Sequence, residues 1–301
     1  MERVILWMKT VIVFTFPAIT FIGLIINPIS FIIFSRKRFK NATFSTYYRC
    51  FILFQTFSLI LPINKMFELN FKIYFDSMSD LMCKLKYFYG YFNIANAAWF
   101  LVVISIDRFL SITYPVGFLC RKKKWFQFLT FCFIINFNIT FLTPTWFYYI
   151  KKTSQTINDT NIINYCISHA VWVDFLELFH QVLIPFMLMI LFTVSTASYV
   201  FKSRKLTNNT KTIKNDLKFT VLSISFNILF LLFNFPHFLL YMMKEYSHLF
   251  DEDSINLFEL LQSFAYFLLY LNLISTFFIN YFINSMFRKE IRIIFLNQSN
   301  F

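Results

Sequence analysis

Seven long apolar stretches dominate the chain and leave it few ways to fold. They run over Val11–Phe34, Thr46–Phe67, Leu81–Thr113, Phe126–Tyr149, Val171–Phe201, Leu217–Met243 and Ile255–Asn284. About 20 such residues cross the hydrocarbon core of a bilayer as an α-helix. A helix satisfies every backbone hydrogen bond within its own segment, which lipid cannot do for it. The third, fifth and seventh stretches are longer than needed, and tilt or extension into water absorbs the excess. Only 14% of the 301 residues are charged and 58% are apolar, against about 25% charged in a soluble domain. The expected fold is an all-α membrane protein, a seven-transmembrane helix bundle forming a single domain over residues 1–301. After the last stretch, Met286–Leu296 carries Arg288, Lys289, Glu290 and Arg292 on one side and Phe287, Ile291, Ile294 and Phe295 on the other. That pattern predicts a short amphipathic helix on the membrane surface over 286–296.

The net charge of +13 does not read as a nucleic-acid face, because the basic residues fall in short clusters between apolar stretches. They read as an orientation signal. With the N-terminus outside, the inner segments hold 17 Lys and Arg, among them Arg36–Arg38 and Arg121–Lys124, and the outer segments hold 9. Lys and Arg stay cytoplasmic, so the expected topology is N-terminus out and C-terminus in, at the plasma membrane. The apolar stretch after Met1–Lys9 is long enough to span rather than to be cleaved as a signal peptide. Five Cys occur without a CxxC or a Cys/His cluster, so neither a metal site nor a cofactor is expected. No Ser elbow or paired ligand set points to an enzyme. No internal repeat of the kind seen in many transporters is evident.

The third stretch ends Asp107-Arg108-Phe109, with Pro115 downstream, and Cys83 lies 25 residues before Arg108. A second cysteine, Cys166, falls between the fourth and fifth stretches. Asn27, Pro185, Pro236 and Phe230, six residues before Pro236, complete the set. Together these resemble the rhodopsin-like (class A) G-protein-coupled receptors, in a divergent, invertebrate branch that is peptide-receptor-like or chemosensory-like. The resemblance implies a disulfide between Cys83 and Cys166. It places Asp107 and Arg108 at the cytoplasmic membrane edge, with Asp216 as the acid of the sixth span reaching Arg108 in a resting-state lock. It further implies that outward movement of the sixth helix opens a cleft for a heterotrimeric G protein.

Several positions depart from the family pattern. Gln55 stands where the second span has an acid that helps hold sodium. Asn234 replaces a Trp, and Thr193 replaces a Tyr. The seventh span reads Thr276-Phe277-Phe278-Ile279-Asn280, without the family proline. The expected activation core is Asn27, Gln55, Asn93, Pro185, Phe230, Asn234, Pro236, Thr276 and Asn280.

On the ligand side, Gly90 occupies the place where amine receptors carry an Asp, which argues against a biogenic amine. The seventh span has no Lys, which excludes a retinal Schiff base there. Lys86, Glu177, His180, His237, Glu259, Gln262 and Tyr266 are the polar groups expected near an outer cavity. Intramembrane ionisable residues are functional candidates by default, while the bland alternative for each is snorkelling or an interhelical hydrogen bond. The set suits a peptide with polar ends better than a lipid, and the acidic loop Asp251–Asp253 would attract a cationic one. Asn158 is the sequon expected on the outside. The expected partners are thus an extracellular ligand, a G protein and the bilayer. A seven-helix channel or transporter, or a receptor-like protein that no longer signals, are the competing readings.

Overall fold

The computed structural model describes residues 2–40, 43–71, 73–75, 78–114, 123–148, 150–157, 161–168, 171–204, 210–244 and 252–296. Among them, seven helical segments are long and apolar enough to cross a membrane: Phe14–Ser35, Phe44–Glu68, Asp80–Thr113, Lys124–Thr143, Phe175–Lys202, Val221–Leu240 and Leu260–Ile283. The first belongs to α1 (Glu2–Ser35). A short α2 (Lys37–Lys40) leads to the second, built from α3 (Thr43–Ser58) and α4 (Ile60–Phe71). The third and fourth are α5 (Asp80–Thr113) and α6 (Lys124–Tyr148). The fifth joins α7 (Val171–Leu178), a π-helical turn (Phe179–Leu183) and α8 (Ile184–Arg204). The sixth and seventh are α9 (Thr210–Lys244) and α10 (Glu252–Ile283), followed by α11 (Ser285–Leu296).

Two breaks have local causes. Pro62 has no N–H for the carbonyl of Ser58, and its ring crowds that carbonyl. The helix therefore interrupts at Leu59, whose N–H bonds instead to the Thr56 carbonyl at 3.1 Å. Side chains from two neighbouring helices take up carbonyls beside the break. Tyr89 of α5 donates to Phe57 O at 2.5 Å, and Thr20 of α1 donates to Leu59 O at 3.4 Å. In the fifth span, Pro185 likewise cannot serve Gln181. The turn before it widens to π geometry, which moves that carbonyl away from the ring.

The seven-helix bundle carries one addition that the all-α reading did not include. Strands β1 (Ile150–Ile157) and β2 (Asn161–Ser168) form an antiparallel hairpin between α6 and α7, with Lys152 opposite Cys166. Its Thr and Ile content favours strands, which are too short to span, and β1 lies against α5 and α6.

The larger core cluster packs Ile33, Phe34, Tyr48, Phe51, Phe100 and Phe230 around the half of the bundle that holds Arg108. A smaller one gathers Phe16, Ile19, Leu59, Tyr270 and Ile274 toward the half that holds Cys83. Gly23 sits at the seam. A Cβ there would lie 2.6 Å from a methyl of buried Leu59 and 3.1 Å from Ile274, so any larger residue would push the Leu59 side chain aside. Phe21, Phe133 and Phe282 point outward from the bundle, as apolar side chains do when lipid rather than water surrounds them.

Candidate functional site

Many polar side chains are buried inside this bundle, Asn above all, and most of them find partners on their own or a neighbouring helix. They form three layers between the Arg108 end and the Cys83 end.

At the Arg108 end, the last two turns of α5 carry Asp107, which is buried, and Arg108, which is largely so. Arg108 Nη2 donates to Asp107 Oδ2 at 2.8 Å, the length of a charge-assisted hydrogen bond. The guanidinium lies over the Phe44 ring, 4.2 Å from its centroid, so α3 supplies a cation–π floor. Phe109 packs on Phe192 of α8. Asp216 is on α9, but its side chain lies outside the described ones. Alongside, α11 is fastened by charge and by apolar packing. Glu290, only 3% exposed, receives Arg36 Nε at 2.8 Å and Arg38 Nε at 3.2 Å. Phe287 is fully buried against Phe34 and Phe277. Asn284 Oδ1 accepts from the N–H groups of Met286 and Phe287 and so caps the start of α11. Arg288 donates to the Tyr281 and Phe282 carbonyls at the end of α10.

The middle layer is made of amides. Asn27 of α1 donates to the Leu273 carbonyl at 3.1 Å, and Gln55 of α3 donates to the Asn272 carbonyl at 2.9 Å. Thr276 of α10 donates in turn to Gln55 Oε1 at 2.6 Å. Three helices are thereby tied at adjacent carbonyls of α10. That helix runs unbroken through Phe277, where the family proline is missing. Buried Asn280 donates within its own helix to Thr276 O, Asn234 to Phe230 O, and Asn93 to Tyr89 O. Buried Phe230 belongs to the core, and Pro236 lies inside α9. Between α8 and α9, Asn227 donates to Thr193 Oγ1 at 2.6 Å.

A second knot joins α5, α6 and the π turn. Asn138 Nδ2 donates to Asn96 Oδ1 at 3.0 Å, and Asn138 Oδ1 lies 2.7 Å from His180 Nε2. An amide oxygen only accepts, so this orientation puts the proton on His180 Nε2. The imidazole stacks on Phe141 with centroids 3.8 Å apart and 11° between planes. The π turn brings His180 into this knot and buries Gln181 beside it, and Glu177 lies buried one turn earlier. Asn138 heads a sequon, yet it is fully buried in the bundle, where no glycan fits.

At the Cys83 end, Glu68 of α4 stands between two lysines. Its Oε1 is 2.6 Å from Lys65 Nζ, and its Oε2 is 3.8 Å from Lys86 Nζ of α5. Lys65 also lies over the Tyr266 ring of α10, 4.9 Å from the centroid. The His237 ring of α9 is 4.4 Å from that of Tyr266, which stacks on Tyr270, and Phe16 meets Tyr270 edge to face. Gln262 is half-buried on the same helix as Tyr266, while the Glu259 side chain lies outside the described ones. A Cβ on Gly90 would meet only Leu61, at an ordinary 3.5 Å, so packing there does not demand glycine. Cys83 is buried and disulfide-bonded. The side chain of Cys166 and all of Asn158 lie outside the described residues. Among the described residues, no cluster of His, Cys, Asp and Glu could hold a metal ion.

The expected ligand-side set is thus divided. Lys86, His237 and Tyr266 gather at the Cys83 end, whereas His180 serves the knot on the far side of α5. Lys65 and Glu68 were not singled out from sequence. Opposite charges three residues apart at the end of an apolar stretch were the available signal.

Residues 27–275 match the profile of the family described as 7 transmembrane receptor (rhodopsin family). The chain is also similar to proteins called atypical chemokine receptor 3. It is 30% identical to that of Mus musculus over 121 residues, 38% of this chain and 33% of the receptor. It is 29% identical to that of Rattus norvegicus over 121 residues and 27% to that of Homo sapiens over 120, with the same shares. The matched stretch therefore spans about a third of the length of those relatives.

Proposed function

Because the chain belongs to the rhodopsin-like family of seven-transmembrane receptors, a family of receptors and not of enzymes, we propose that it couples an extracellular peptide ligand to a heterotrimeric G protein. The observation that carries this reading is the charged and aromatic cluster of Lys65, Glu68, Lys86, His237 and Tyr266, set inside the helices at the end opposite Asp107–Arg108. These charges lie at the ends of the second and third spans and are partly exposed, so a polar ligand group entering from that face can meet them. The bias of basic residues supports a plasma-membrane protein with the N-terminus and the Cys83 end outside. Chemokines are polypeptides, so the name of the relatives supports a peptide rather than an amine. In this reading Cys83 pairs with Cys166 and holds the β1–β2 hairpin over the ligand entrance. Asn158 carries a glycan, and Asp216 locks Arg108 until α9 swings outward. An agonist shifts that equilibrium only by binding the open state better than the closed one.

A second reading, ligand binding without G-protein activation, is favoured by one specific feature. The seventh span lacks its proline, and Gln55 ties α3 to an unbroken α10. The deciding experiment measures nucleotide exchange on purified Gα in membranes bearing the chain, challenged with a synthetic peptide collection. The expected result is a saturable increase that Arg108→Ala abolishes at unchanged surface level. Saturable peptide binding without exchange establishes the second reading instead, and absence of both rejects a peptide receptor.

A further inference from the structure

The cluster at the Cys83 end also carries information about what the ligand presents to it. Glu68 is the acid at its centre, and both of its oxygens already face ammonium groups, one on α4 and one on α5. A cationic ligand group would have to compete with two internal lysines for that carboxylate. The lysines are placed differently. An ammonium has three donors. Lys65 directs one to Glu68 at 2.6 Å and turns one side to the face of Tyr266. Lys86 stands 3.8 Å from Glu68, within ion-pair range but beyond hydrogen-bond length.

The three side chains are 20%, 25% and 26% exposed, in the order Lys65, Glu68, Lys86. They can be reached, yet the surroundings screen their charge less than open water does. The aromatic floor also sets a direction. The face of a ring is negative, which attracts the ammonium and repels an anion. An anionic group therefore meets Lys65 on the side away from Tyr266. A simple salt bridge along α4 would need one lysine, and Lys65 satisfies it at i,i+3 spacing. The second lysine comes from another helix, and its ion pair with Glu68 brings a second ammonium to the same place.

We propose that Lys65 and Lys86 together form the docking point for a carboxylate of the ligand, either a C-terminal carboxylate or an acidic side chain. The proposal rests on the receptor reading above, but its test does not depend on signalling. The purified full chain in detergent is melted with three small probes at millimolar concentration: N-acetyl-phenylalanine, its neutral amide, and N-acetyl-aspartate α-amide. The two acids are expected to raise the melting temperature and the amide is not. A response to the first acid alone assigns a chain terminus, a response to the second alone assigns a side chain, and a response to both assigns the carboxylate itself. Lys65→Gln should weaken the half-saturating concentration of the effective acid about tenfold, the loss of one charged hydrogen bond. Lys86→Gln should weaken it as well, and Lys65→Arg should retain the preference for acid over amide. If Lys65→Gln does not fold, Lys86→Gln and Lys65→Arg carry the same test. Equal shifts with acid and amide, no shift with any probe, or an acid-specific shift that survives both Gln substitutions would overturn the site. A chain that binds the acids without driving nucleotide exchange removes the G-protein reading and leaves this site standing. A chain whose peptide response is unaffected by amidation and by removal of acidic side chains removes this site and leaves the receptor.

Discussion

Gln55 uses both ends of its amide, donating to a carbonyl of α10 and accepting from Thr276. Buried between helices, such a residue acts as a rivet, because neither partner has water to turn to. Replacing Gln55 by Leu is expected to destabilise the bundle by about 1–3 kcal/mol, read as a lower melting temperature in detergent. Thr276→Val should cost less, since it removes one bond and leaves the Gln55–Asn272 bond in place. The Asn96–Asn138–His180 knot permits a sharper comparison. Asn138→Leu strands both Asn96 Oδ1 and the His180 N–H, whereas His180→Phe strands only the Asn138 oxygen and keeps a ring against Phe141. Each stranded group costs about 1–3 kcal/mol, so Asn138→Leu should lower the melting temperature more. An equal or larger effect of His180→Phe would show that ring stacking, not hydrogen bonding, holds the knot. Sequence placed Asn27, Gln55 and Thr276 in an activation core by resemblance. It gave no sign of Asn96 or Asn227, because an Asn in an apolar stretch does not reveal which way its helix is turned.

Among elements, α11 is the one whose attachment goes beyond amphipathic pattern. Its sequence predicts a helix resting on a membrane surface. The structure shows it bolted to the bundle by Phe287 from within and to Arg36 and Arg38 from the side through Glu290. The arginines are 39% and 41% exposed and can return to water when Glu290 is lost. The expected cost of Glu290→Ala is therefore about 1 kcal/mol. The informative readout is local: amide exchange should quicken over Ser285–Leu296 and stay unchanged in α5. Unchanged exchange in α11 would mean that Phe287 alone holds it. The two irregular spans follow from single prolines, Pro62 and Pro185, both visible in the sequence. That the turn before Pro185 would widen to π geometry was not legible. The outcome depends on how α5 and α6 accept His180.

For the molecule as a whole, the proposed orientation and the proposed lock make separate predictions. Epitope tags probed on intact cells should be reached at the N-terminus and not at the C-terminus; the opposite pattern would point to the channel-like reading. If Asp216 restrains Arg108, Asp216→Ala should raise basal nucleotide exchange while Arg108→Ala removes agonist-stimulated exchange. An Asp216→Ala protein with unchanged basal exchange has no such lock. In that case the described partners of Arg108, Asp107 and the Phe44 ring, hold the resting state.

The number of spans was determined by the sequence alone. Apolar length and the need to satisfy every backbone group in lipid leave a chain of this kind no other regular structure. The Asp-Arg pair, with cysteines and prolines at family spacings, carried the family in the same way, since these are linear patterns. What only the tertiary structure decided is which polar groups meet. Asn138 lies 42 residues from both Asn96 and His180. Glu290 meets arginines from the far end of the chain, and Lys86 meets an acid on a different helix. Such pairings depend on the rotation of each helix about its axis and on the depth at which neighbours cross. Both are set by the packing of Phe, Leu and Ile around Gly23, Leu59 and Pro185, and neither is written in the local order of residues.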